Sequence, residues 1–511
     1  MPPARPGQLN AGTMRRFFLW VLVALALFFL VFFGLNLFDT RTAGKDGSSS
    51  GYESPPAADL GPSNGFFFVW GFAEPPGTDL RSDSYRFRVR ELFASPPRGS
   101  HTRSRFGLWW ARLNEGYRQH WQGTAFYFPQ LPGEDAAQYF AARRERIVEL
   151  RKRFAEPLRR YRLLLQAEKM EDFTPPGWEC PGRSVLLAVQ AAKFFAATRV
   201  LAALDGEWGG AVGDLLDAAA AGFGLIAQGR TPAVNGLGRD MVELSLRALA
   251  SLLNRAECPP TMADLVLERM PDRPAHDFGT SSVRAFALAG FSAVLERIKR
   301  EGIVDPFLLK NHFRRPAALF ALERFMAISG PRLFAAFHGL AAFFTQKNES
   351  VAMMRTFWDG VGALEETPPW RWKATPLRGR SAGAASGPFW WLRNPVGKML
   401  VSSAVPYNWP ILQHYVYRTH ELKARCDLLR LLAQARRAAA PGMELDGARL
   451  RRMLAAGGID PFSGSPYRFG RGQKALYALG PDGIDDGGRE QAEIWRRSDI
   501  AVPIRFVIPS P

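Results

Sequence analysis

Arg15-Arg16-Phe17-Phe-Leu-Trp-Val-Leu-Val-Ala-Leu-Ala-Leu-Phe-Phe-Leu-Val-Phe-Phe-Gly-Leu-Asn-Leu-Phe38 is the stretch from which the rest of the chain takes its place. No charge interrupts Phe17–Phe38, and a helix of that length crosses roughly 30 Å of hydrocarbon. Arg5, Arg15 and Arg16 precede it, while Asp39 and Arg41 follow. Positive charge on the short leading side keeps that side in the cytoplasm and sends the long C-terminal part outward. A cleavable signal peptide is the competing reading, but Leu35–Asp39 holds no small-x-small site, and Thr40–Gly44 is a weak substitute. A buried core helix is the third reading, set aside because a run this long without charge has no polar face to show to water. The expectation is an uncleaved single-pass anchor over 15–38, with 1–14 a cytoplasmic tail at the inner membrane.

The chain has 511 residues, enough for two or three domains. Lys and Arg number 66 against 48 Asp and Glu, a net charge of +18. In the cytosol such a surplus raises nucleic acid as a partner. Outside it, anionic head groups, wall polymers or acidic proteins take that place, and no nucleic acid is expected. The plainer account is arginine spread over solvated helix faces. Three cysteines, Cys180, Cys258 and Cys426, make neither a disulfide framework nor a metal spacing. Cys180 and Cys258 sit in Pro-flanked loops and could pair in an oxidising compartment, whereas Cys426 falls on an apolar helix face.

Residues 39–64 are rich in Gly, Ser and Pro and read as a flexible linker. From 65 to 440 the periodicity is helical, a bundle or solenoid-like extracytoplasmic domain without a fixed repeat. Val242, Leu246, Leu249 and Leu253 line one face of a helix starting near Asp240. Thr261 and Asp264 after Pro259-Pro260 read as a capping box, and Ser281–Arg300 ends at Gly302. Tyr139–Lys169 reads as one arginine-laced helix, Leu333–Phe344 as a short buried one, and Pro410–Ala439 as a long one. Phe106–Phe128 is rich in Trp and Tyr, a set that suits a core or, if exposed, a membrane interface.

Residues 441–511 change character. Ala448–Ala456 reads as a short helix closed by Gly457-Gly458. Pro466–Phe469 and Lys474–Leu479 read as strands, and Ile500, Val502, Ile504, Phe506 and Ile508 alternate as a third, with Pro503 marking a sheet edge. The expected fold is therefore mainly α, with one transmembrane helix and a small C-terminal α+β module holding a short antiparallel sheet.

The densest polar cluster is Gly480-Pro-Asp482-Gly-Ile-Asp485-Asp486-Gly-Gly488, with Asp499 downstream and Asp460 upstream. Three carboxylates within five positions, spaced by glycines, are oxygen donors suited to calcium. The simpler reading is a turn-rich loop in which Asp and Gly supply the turns. Catalytic signatures are missing: His414 and His420 are six apart rather than four, and no Gly-x-Ser-x-Gly elbow or phosphate loop occurs. The adjacent Glu365 and Glu366 cannot flank one glycosidic bond.

Asp460–Phe469, Leu476–Gly488 and Ser498–Ile500 resemble the C-terminal end of type II secretion major pseudopilins. The resemblance implies a structural calcium held by Asp482, Asp485 or Asp486, and Asp499, with backbone carbonyls near Leu479. It does not extend to the N-terminus, since Phe17–Phe38 has no prepilin-peptidase site, so a pilus-assembly role does not follow. The remainder is similar to a group of uncharacterised bacterial membrane-anchored helical proteins, through Asn64-Gly-Phe with Gly71-Phe-Ala-Glu-Pro-Pro76, the helical run Leu186–Leu253, and Asn394-Pro-Val-Gly-Lys398. The function expected is a tethered binding or scaffolding protein of the cell envelope, tied to a secretion or pilus-like system. The alternative is an envelope enzyme acting on wall polymer or lipid.

Overall fold

The computed structural model describes residues 19–23, 27, 63–94, 111–115, 117–121, 125–129, 135–174, 182–270, 272–301, 345–372, 394–439, 445–470, 474–489, 499–504 and 507–508. The fold is mainly helical, with a three-stranded antiparallel sheet near the C-terminus. Of the expected anchor, Leu19–Val23 and Leu27 are described, helical and exposed. The rest of 15–38, the linker up to 62, Leu333–Phe344 and Cys180 lie outside the described residues. The chain divides into two compact units: Ser50–Ala289 with Asp359–Pro376 and Ile411–Pro511, and Met1–Ser49 with Gly290–Trp358 and Leu377–Pro410.

The larger unit begins with α1 (Phe66–Gly71), whose six residues are all buried. A helix with no polar face must end inside the core, and its last carbonyls then need donors. Arg160 supplies them: its guanidinium donates to the carbonyls of Gly71 at 3.2 Å, Phe72 at 2.8 Å, Glu74 at 2.7 Å and Pro75 at 2.7 Å. Burial pulls the Arg160 pKa down, and Glu156 opposes it with a 2.8 Å ion pair. The α2 helix (Asp83–Ala94) follows.

The single helix expected over Tyr139–Lys169 is three: α3 (Ala136–Ala141), α4 (Arg144–Leu150) and α5 (Ala155–Leu165). Pro157 is the physical reason for the second break. It has no N–H for a continuous ladder, yet it is tolerated in a first turn, where donors go unused. The break lets Phe154 stack on Phe194 with ring centroids 4.3 Å apart.

The centre of this unit is α6 (Gly182–Leu204), α7 (Trp208–Gln228) and α8 (Pro232–Leu253). The α8 helix starts a full two turns before Asp240, because Thr231 caps it, accepting the Val234 N–H at 3.3 Å, and Pro232 fills the first position. Where α7 crosses α8 the backbones nearly touch. A Cβ added at Gly222 would lie 2.8 Å from the Gly238 carbonyl oxygen, and one at Gly238 would lie 2.6 Å from that of Gly222.

The sequence predicts one span, but α6 and α7 are also long and apolar enough to cross a membrane. Each has 56% of its most apolar window buried inside the fold. Their hydropathy has a packing origin: α6 packs against α3, α5 and α8, and α7 against α5, α6 and α8, so the buried part of each meets other helices. The expectation of a single apolar helix of spanning length is thereby corrected.

The α9 helix (Pro260–Arg269) starts at Pro260 and has no side-chain cap, so Thr261 lies within it rather than capping it. The α10 helix (Ser281–Glu301) and α11 (Lys347–Glu366) precede α12 (Pro395–Ala438), a 44-residue helix that begins fifteen positions before the expected Pro410. The C-terminal module carries α13 (Gly447–Ala456), whose cap at Gly457 matches the sequence reading. Strands β2 (Arg468–Gly470), β3 (Ala475–Ala478) and β4 (Ile500–Pro503) form the sheet in that order, so Pro503 does lie on an edge strand. The alternation beyond Pro503 belongs to another pairing, since β5 (Val507–Ile508) runs parallel to β1 (Leu445–Asp446).

In the smaller unit the Asn394-Pro-Val-Gly-Lys398 run is a helix start. Asn394, at φ 54°, accepts the N–H groups of Gln346 at 2.8 Å and Gly397 at 3.2 Å, and donates to Ser350 Oγ at 2.8 Å. A Cβ at Gly397 would strike Ser350 Oγ, and Pro395 occupies the first helical position. The motif is thus explained by capping and close approach.

Gly222→Ala is expected to destabilise by about 1–3 kcal/mol, through overpacking of a backbone contact. Gly210→Ala, on the same helix with open space around it, should be neutral or stabilising by up to about 1 kcal/mol. Urea denaturation of both variants checks this, and equal effects would refute the close-crossing account.

Candidate functional site

Two polar constellations stand out, and the sequence pointed to one of them. The connection after β3 carries the Asp/Gly loop. Gly483, Gly487 and Gly488 adopt φ of 71°, 69° and 84°, so the glycines serve left-handed turns. Asp482 is exposed and accepts the Ile484 N–H at 3.0 Å, an Asx turn. Asp485 accepts from the Gly487 N–H and the Tyr477 hydroxyl, each at 3.0 Å, and pairs with Arg468. Partial burial works against its ionisation, but those three donors hold its carboxyl below the usual range.

Asp499 is fully buried beside that loop. Its Oδ2 accepts the Gly488 N–H at 2.8 Å, while Oδ1 is buried and makes no hydrogen bond of normal geometry among the described residues, the Asp486 backbone N–H lying near the carboxylate. Burial pushes its pKa up to about 6, the Gly488 bond opposes this, and the charges of Asp485 and Asp486 raise it further. Asp485, Asp486 and Asp499 therefore lie close enough to repel one another, and Asp482 faces solvent away from them. Among the described residues no set of three or more His, Cys, Asp or Glu side chains converges at metal-binding geometry. Asp460 serves the backbone instead. It is fully buried and accepts from the Phe462 and Leu479 N–H groups and the Ser463 hydroxyl at 2.8, 3.0 and 2.6 Å.

The second constellation escaped the sequence reading. Asp240, Glu243 and Arg247 on α8 face Arg418, Glu421 and Arg425 on α12, each set at i, i+3 and i+7. Glu243 receives Arg418 at 2.9 Å, Arg247 at 3.0 Å and Arg425 at 3.9 Å. Burial opposes its ionisation, yet the three guanidinium groups outweigh that and hold its pKa well below the carboxylate range. Asp240 takes the opposite course. Burial first and then the Glu243 charge push it up to about 6, against the pull of Arg418, Lys193 and Arg239. A neighbouring pair of carboxylates with pKa values driven apart is the electrostatic arrangement of an acid beside a fixed anion. The signal was present as matched charge spacing on two otherwise apolar helices, but pairing them needs a contact across about 175 residues.

Beside it, Arg239 is buried and donates to Asn235, the Tyr415 and Phe278 carbonyls, and the Thr419 hydroxyl at 2.8 to 3.1 Å. Glu365 accepts the Thr280 N–H and hydroxyl at 2.9 and 2.6 Å, at the start of α10. Its burial behind Thr280 makes it a cap for that helix start. His420 is buried too, and burial pushes its imidazole down to about 4.

The C-terminal module is fixed to the helices of this unit. The Tyr467 hydroxyl donates to Asp427 at 2.7 Å, Lys423 holds the same carboxylate at 2.7 Å, and Asn254 donates to the Pro503 carbonyl at 2.7 Å. Cys258 and Cys426 are both buried free thiols, and burial raises the pKa of each. Comparison with protein-family models, with curated proteins and with solved structures finds no match.

Asp240 sets a testable pH dependence. Its folded pKa exceeds its unfolded one, so between about pH 4 and 6 the folded state holds a proton that the unfolded chain releases. The contribution of Asp240 is therefore lost as pH rises through that window. Asp240→Asn should remove this component, so that wild type minus variant stability falls from pH 4 to 6 and is level above. A difference flat across the window would mean Asp240 titrates normally.

Proposed function

We propose that this protein is a membrane-tethered scaffold of the cell envelope, single-pass with its N-terminus in the cytoplasm, whose C-terminal module is a rigid binding head. The observation that carries the reading is the fixation of that module on the helical core through Tyr467, Asp427 and Asn254. A module locked by buried hydrogen bonds presents a fixed surface, as a scaffold requires. The chemistry of Asp499 supports a structural calcium at the loop. A buried carboxylate oxygen with no well-placed donor among the described residues, next to Asp485 and Asp486, is an oxygen-rich position that a hard cation would satisfy. Asp499 with Asp485 or Asp486 would hold it, together with loop carbonyls. The likeness of the loop to pseudopilin C-termini is consistent with this and ties the scaffold to a secretion or pilus-like system.

The second reading, an envelope enzyme, is favoured by one observation, the split pair Asp240 and Glu243 at the α8–α12 seam. Asp240 would serve there as the proton donor to a wall-polymer or lipid linkage.

Thermal unfolding of the full chain in detergent, after chelation and with millimolar calcium added back, tests the primary reading. Calcium should raise Tm, since binding confined to the folded state stabilises it. Asp499→Asn should abolish the shift, and Arg468→Gln should enlarge it by freeing Asp485 from its ion pair. No calcium shift in the wild type would sink the calcium assignment. A reporter fused after Pro511 that is active only in the cytoplasm would sink the topology.

A further inference from the structure

The segment from Arg143 to Arg162 carries nine basic residues and three acidic ones. Arg160 is spent inside the fold on α1, and the other eight are exposed. Arg144, Arg146 and Arg159 pair with Asp205, Glu149 and Glu156. Arg151, Lys152 and Arg162 meet no carboxylate within ion-pair distance among the described residues. Arg151 and Lys152 stand at the corner where α4 turns into α5.

Arg144 and Val148 lie one turn apart on the same face of α4, and Arg151 and Lys152 follow just past its end. Val148 is 61% exposed there, an apolar side chain surrounded by cations. Arg143, one turn earlier, lies 3.8 Å over the ring of Tyr139, and Tyr139 packs 5.6 Å from Tyr127, itself 51% exposed. Tyrosine, arginine and a protruding aliphatic side chain form the composition of a surface that rests among lipid head groups.

The point of entry of the chain into this unit supports the same partner. The Gly65 N–H donates to the Lys169 carbonyl at 2.8 Å, just past the end of α5. The eleven residues of α5 place the Arg151–Lys152 corner roughly 16 Å from that entry.

We propose that the α4–α5 corner is a peripheral docking face for an anionic membrane surface, holding the domain down beside its own anchor. The proposal deepens the tethered reading by naming the face turned to the lipid. Nucleic acid would take the same charges and stack on a tyrosine, but it has no use for the exposed valine.

The test uses the full chain in lipid nanodiscs, with a fluorophore on Val148→Cys and nitroxide-bearing lipid as quencher; the parent chain treated with the same dye gives the background. Quenching is expected in phosphatidylglycerol discs and not in phosphatidylcholine discs, and it should vanish in half-molar salt. Arg151→Glu with Lys152→Glu should lower the bound-to-free ratio of the face at least roughly thirtyfold, given the head-group attraction of two such charges. Both positions are exposed, so unchanged Tm of the variant separates loss of docking from loss of fold. Quenching independent of lipid charge, or unaffected by the double variant, overturns the proposal. So does displacement of the face from phosphatidylglycerol by a DNA oligomer at equal charge concentration. Failure of the chain to enter nanodiscs would count against the anchor alone. Flotation with phosphatidylglycerol liposomes then decides the face, and absence of salt-sensitive flotation overturns it.

Discussion

The larger unit depends on the contact of α7 with α8 at Gly222 and Gly238. Two helices that approach until backbone meets backbone leave no room for side chains between them. Everything else in the helical core is arranged around that pair, with α6, α3 and α5 closing over it. The same closeness selects small residues along α7, whose mean hydropathy reaches that of a membrane helix. Burial within protein and burial within lipid select the same residues, and length alone does not separate them.

A core built this tightly leaves carbonyl groups stranded at helix ends, and arginine resolves them repeatedly. Arg160 closes α1, Arg239 joins α8 to the turn before α10 and to α12, and Arg436 donates to the carbonyls of Arg255, Ala256 and Cys258. A guanidinium has five donors in a plane and remains charged even when burial lowers its pKa, as for Arg239 at about 10. Part of the basic excess of the chain is therefore internal structure. The α4–α5 corner differs because Arg151 and Lys152 face solvent and, among the described residues, serve no carbonyl.

The C-terminal module and the charged seam converge on α12. Lys423 and Asp427 hold Tyr467 on one side of that helix, and Arg418 and Arg425 meet Glu243 on another, with Glu421 paired to Arg418. This single helix gives the module a fixed seat and brings the split carboxylate pair together. Asp499 lies apart from that seam, and its carboxylate belongs to the loop of the module itself.

The sequence by itself determined the helical character of the chain, the α13 helix with its Gly457 stop, the β2–β3 pair and the edge position of Pro503. These are local outcomes, written in periodicity, turn residues and proline chemistry. It also singled out the Asp/Gly loop, because carboxylates and glycines cluster within a few positions. The tertiary structure alone decided that Asp499 is buried while Asp482 is exposed. It alone decided that Asp240 and Glu243 meet Arg418 across the chain. Burial and long-range charge are properties of what packs against a residue, and no local pattern contains the identity of a neighbour 175 positions away.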